Sequence, residues 1–150
     1  MNIIGAVVAG LAGTAVISML MAMGPRIGMP KMAIWEMLGT MFSKEGNLAL
    51  GWIIHFMMGV IFAIIYAALW AAGIGSATLV SGIVFGVVHF LIAGLVMGGM
   101  PMMHAGIKAG TVQAPGVLML NAGVMGLMGG LIGHAVYGLV VALVYGFFIR

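Results

Sequence analysis

Three imidazoles lie inside stretches of this chain that otherwise carry almost no ionisable group. They are His55 in GWIIHFMMGVIFAIIY, His89 in GVVHFLIA and His134 in GLIGHAVYGLVVALVY. An imidazole in apolar surroundings stays uncharged and needs a hydrogen-bond partner or a metal. Three chemistries suit that requirement. Each ring can bond a backbone carbonyl, Ser18, Thr14 or a tyrosine and pin helix register, a contact averaging about 0.6 kcal/mol in a membrane. His55 and His134 can instead supply the axial nitrogens of a b-type haem held between two helices. Their segments share the spacing Gly-x3-His-x3-Gly-x3-Ala-x2-Tyr, which gives the two rings matched depth, although no arginine stands nearby to bind propionates. A metal held by His55, His89 and His134 together requires three helix faces to converge.

A fourth group, GMPMMHAG, sets Met100, Met102, Met103 and His104 together, and thioether with imidazole suits Cu(I). The matching GMPKM at Gly28–Met32 lacks the histidine, and methionine is an adaptable packing residue, so packing is the expectation for these side chains. No metal site is therefore predicted.

Other chemistries lack their residues. Without cysteine there is no disulfide, thiolate site or thiol nucleophile, and Glu36 and Glu45 are the only acids. No apolar stretch has a charge at its middle to form a proton relay or ion path. No serine or carboxylate stands at triad spacing from a histidine, and no loop cradles phosphate. The expectation is a protein that is not an enzyme. Its net charge of +3 comes from too few residues to suggest a nucleic-acid partner.

The elements that must position the imidazoles follow from composition. The chain is 65% hydrophobic and only 5% charged, against about 25% charged in a soluble domain, so its solvent is lipid. Four stretches reach the roughly 20 residues that a helix needs to cross a bilayer. They are Ile3–Met23, Leu48–Ala72, Leu79–Gly98 and Val124–Ile149. The first has no basic n-region and is too long for a signal-peptide core, so it is read as a helix of the mature protein. The fold class expected is all-α, an integral membrane four-helix bundle in one domain, residues 1–150. Arg26, Lys31, Lys44 and Lys108 fall in the two long connections, which predicts those connections to be cytoplasmic and both termini outside.

Internal similarity extends past the histidine segments. GMPKM matches GMPMM, and AVISMLMA (Ala15–Ala22) matches GVVHFLIA (Gly86–Ala93), setting Ser18 against His89. Two tandem parallel two-helix repeats are expected, about 1–75 and 76–150, related by an axis along the membrane normal. In the connections, Met29–Phe42 has the composition of an interfacial helix with Trp35 at headgroup level, and the second connection reads as a membrane-surface loop.

Small residues recur at helical spacing: Gly51, Gly59 and Ala63; Gly82 and Gly86; Gly130, Gly138 and Ala142. Such rows let helix backbones approach closely, where dispersion attraction acts without a hydrophobic drive. They are expected to form the bundle seams. His55, His89 and His134 share those faces and are expected to turn inward, in the half nearer the long connections.

The segment GWIIHFMMGVIFAIIYA, with the Met-rich loop before it and VMGGMPMMHAG after it, resembles a family of small bacterial four-helix integral membrane proteins of unknown function. The likeness runs from about Gly5 to about Gly146 and implies fold and membrane location only. The function expected is that of a non-catalytic accessory or structural subunit. It would pair with a larger membrane protein or with its own copies in the bilayer, and it would need no cofactor. The alternative is a haem b electron carrier using His55 and His134.

Overall fold

In hydrocarbon a backbone amide finds no water, so each apolar stretch closes its hydrogen bonds within itself as a helix. The computed structural model describes residues 1–150 and contains helices but no strand. The long helices are α1 (Ile3–Met23), α3 (Leu48–Ala71), α4 (Leu79–Gly99) and α6 (Gly123–Phe148). All four are long and apolar enough to cross a membrane. Short helices α2 (Ile34–Gly39) and α5 (Ala105–Lys108) lie in the long connections. Asn2, Asn47 and Thr78 start α1, α3 and α4 by accepting a bond from the amide three residues on, as N-caps do.

Both long connections meet at one end of the bundle. There Ala105 N–H donates to Met41 O at 3.0 Å and Gly106 N–H donates to Thr40 O at 3.0 Å. The chain ends meet at the other, where Asn2 N–H donates to the Tyr145 hydroxyl at 3.1 Å and Asn2 Nδ2 to Phe148 O at 3.1 Å.

The four long helices pack as an open arc in the order α3, α1, α6, α4. Small residues make the tight joints. Between α4 and α6, a methyl group added at Gly82 would strike the Gly138 carbonyl, and one at Gly86 would strike the His134 carbonyl. Ala142 packs beside Gly82 in the same joint. Between α1 and α3, Gly10 lies against the Val60 backbone and Ala63, while Gly59 lies against Thr14. Gly13 receives the Tyr137 ring from α6. Two seam glycines behave differently from expectation. Gly51 packs under the Trp35 carbonyl of α2, not against another spanning helix, and Gly130 is covered by the Phe90 ring and the Met119 side chain.

The ends of the arc, α3 and α4, follow each other in sequence but keep their backbones apart. Aromatic side chains bridge the space: Tyr66 and Trp70 on α3 reach Phe85 on α4, and Phe62 stacks on the His89 ring with centroids 3.6 Å apart. Trp70 Nε1–H donates to Ser81 Oγ at 2.9 Å, closing the end near the short turn.

Within Met29–Phe42 the short helix is α2, where Trp35 stacks on Trp52 of α3 at 4.3 Å. The 3-10 turn Val117–Ala122 lies along the last turns of α4, with Val117 over Gly98 and Leu118 over Gly94, and none of its residues is buried. Leu118 and Met119 take left-handed backbone conformations there, at φ 50° and 62°, each at a cost of about 1–2 kcal/mol.

Gly86→Ala is expected to destabilise the protein by about 1–3 kcal/mol, because the obstacle is a backbone carbonyl that cannot rotate away. Gly129→Ala meets only the flexible ends of Met29 and Met32 and is expected to change stability by no more than about 0.5 kcal/mol. Thermal unfolding in detergent checks the contrast, and equal stability of the two variants would contradict the close α4–α6 joint.

Candidate functional site

The wide α3–α4 side leaves a cavity of about 370 Å³ inside the half of the bundle that carries the long connections. His55, His89 and His134 all line it, together with Thr14 and Ile17 of α1 and Tyr137 of α6. Most of the wall is apolar. Met58 and Phe62 on α3 line the cavity from one side, and Ala93 and Met97 on α4 from the other, with no close backbone contact between the two helices. Met119, Asn121 and Ala122 of the second connection, with Met37 and Leu38 of α2, line its outer end.

Each ring is held by a different partner. On α1, Thr14 Oγ1–H donates to Gly10 O at 2.8 Å and Ser18 Oγ–H donates to Thr14 O at 2.7 Å. A hydroxyl has one hydrogen, so Ser18 Oγ can only accept from His55, whose Nε2 lies 3.0 Å away. His55 therefore carries its proton on Nε2, leaving Nδ1 bare. His134 Nδ1–H donates to the Gly130 carbonyl one turn back at 2.8 Å, which leaves its Nε2 bare. The Tyr66 hydroxyl is buried and finds its acceptor in His89 Nδ1 at 3.2 Å, so His89 keeps a proton on Nε2.

Tyr137 completes the floor. Its hydroxyl donates to the Gly59 carbonyl, tying α6 to α3 across α1. No buried side-chain nitrogen or oxygen lacks a partner, so the unpaired nitrogens of the three rings are not fully buried. The His89 and His134 rings meet edge to face, 4.8 Å between centroids. The three rings nevertheless do not gather as ligands of one ion.

The chain belongs to a family of unknown function, DUF6789, whose profile matches residues 1–150. Neither a curated protein nor a solved structure matches it. Membership covers every residue described above and assigns no activity to any of them.

His104 sits elsewhere. It is fully buried, its Nε2–H donates to Met37 O at 2.9 Å, and its Nδ1 accepts from Ile107 N–H at 3.2 Å. With both nitrogens engaged it caps α5 and clips the two connections together, while Met102 and Met103 point outward. The Met-rich segment is thus not arranged as a ligand set. Sequence reasoning missed Tyr137, Phe62 and Met119 as cavity residues. Tyr137 lies one turn beyond His134, which was its only available signal.

Ring nitrogen NMR is expected to show His55 protonated at Nε2 and His134 at Nδ1. Ser18→Ala should shift His55 toward a mixture of tautomers and lower stability by about 0.6–1.7 kcal/mol. Unchanged ring shifts in that variant would contradict the assignment.

Proposed function

We propose that this protein is a non-catalytic membrane subunit that receives a neutral amphiphile of the bilayer into its cavity through the gap between α3 and α4. The cavity itself carries this reading. It has the volume of a small-molecule site, about 300–1,000 Å³, an apolar wall, and a few polar groups gathered at one place. The two helices that flank it, α3 and α4, have outer faces, with Ile53, Ile61, Val84 and Leu91, that suit acyl chains. Those same faces would meet a larger membrane protein or further copies of this chain in an accessory role.

Two finer features belong to the same reading. The match of Gly51–Tyr66 with Gly130–Tyr145 supports descent from a tandem two-helix repeat, though the α1–α6 joint has no equally close counterpart between α3 and α4. The cations Arg26, Lys31, Lys44 and Lys108 lie in the connections that cover the cavity, which supports a cytoplasmic position for that end and an outer position for both termini.

Haem b is the second reading, favoured by one observation: His55 Nδ1 and His134 Nε2 are bare and both residues line one cavity. Against it, His89 abuts His134 and no arginine lines the site.

Extraction from native membrane in a mild detergent, followed by mass spectrometry and a visible spectrum, tests both. The first reading expects an amphiphile at about one per chain without a Soret band. A Soret band lost in His55→Ala and in His134→Ala would replace it with the haem reading.

A further inference from the structure

The cavity's protons are already assigned, and they determine which kind of head group fits. Ser18 leaves His55 with a bare Nδ1, and the Gly130 carbonyl leaves His134 with a bare Nε2. Tyr66 leaves His89 with an N–H. None of the three unpaired nitrogens is fully buried, and all three residues line the one cavity. The rings thus offer two acceptors and one donor in a mostly apolar wall that also carries Gln113 and Asn121 beside the connections.

Two acceptors reject a head group that can only accept. A carbonyl or ether oxygen can accept from His89 alone; against His55 or His134 it sets lone pair against lone pair and leaves those two nitrogens unpaired away from water. A hydroxyl answers both needs, since it donates its hydrogen and still accepts from His89. A charged head group is excluded by a different argument. The lining's cation, Lys31, is already paired with Glu36 at 2.8 Å near the surface, so no free charge waits inside.

We infer that the cavity selects an uncharged amphiphile with two hydroxyl groups, one bonding His55 and the other His134, with its tail lying in the α3–α4 gap. This rests on the reading of the cavity as a bilayer-facing binding site and adds the hydrogen-bonding polarity of the head. An aromatic diol and a glycerol diol share that chemistry.

The test is calorimetric titration of the purified full-length protein in nanodiscs, under reducing conditions, with four probes of equal tail. They are a decyl hydroquinone, a 1-O-decylglycerol, the dimethyl ether of the hydroquinone and, without reductant, the decyl benzoquinone. At least one diol is expected to bind ten times or more tighter than the ether and the quinone, tenfold being about 1.4 kcal/mol. Which diol wins identifies the source. Ser18→Ala should erode the preference by freeing the His55 tautomer, whereas Ser18→Thr, which keeps the hydroxyl, should retain it. Binding of the ether or quinone as tight as the diols would overturn the inferred polarity while leaving the cavity a binding site. Binding by none of the four would overturn both.

Discussion

Hydrocarbon offers no hydrogen-bond partner, and the whole structure is a response to that. The backbone answers with helices, which close their own amide bonds over nearly the full length of each span. The hydroxyls on α1 answer by bonding carbonyls of their own helix, Thr14 to Gly10 and Ser18 to Thr14. Because those hydrogens are spent, the oxygens have only acceptor capacity left, and His55 fills it at Ser18. The protonation pattern of the cavity follows from this chain of obligations.

Packing obeys a related constraint. Lipid is as apolar as leucine, so spans gain little by burying leucine against one another and more by close backbone contact. Gly82, Gly86 and Gly138 bring α4 and α6 that close, and Gly10 and Gly59 do so for α1 and α3. No such row serves α3 and α4, whose facing side chains are Phe62, Tyr66, Trp70, Phe85 and His89. Large rings hold helices apart and do not fill a gap evenly. The cavity lies where that uneven filling meets the small side chains of Gly129 and Gly130. A binding space therefore arises from the contrast between tight and wide joints in one bundle.

The spans were legible because length and hydropathy report the solvent directly, and the ends expected from them fall within a residue of those of α1, α3, α4 and α6. Helical rise places the three histidines at similar distances from their span ends, and all three line one cavity. Partners were not legible. Periodicity names the face on which a residue lies but not the neighbour that face meets. The paired motifs illustrate this. His55 bonds Ser18 of another helix whereas His134 bonds its own carbonyl, and Tyr66 bonds His89 whereas Tyr145 receives Asn2. Gly51 and Gly130 likewise meet α2 and the Phe90 ring, respectively. The turn at Val117–Ala122 was hidden for another reason: Leu118 and Met119 adopt a left-handed backbone that their residue types disfavour, held there by tertiary contact with Gly94 and Gly130.

The central claim is that three imidazoles from three helices meet a common interior space. Solid-state NMR of the protein labelled at histidine and phenylalanine in lipid bilayers tests it most directly through contacts between rings. The structure requires cross-peaks from His89 to His134 and to Phe62, whose ring centroids lie 4.8 Å and 3.6 Å from its own. Rings that correlate with lipid acyl chains, and not with one another, would contradict the account.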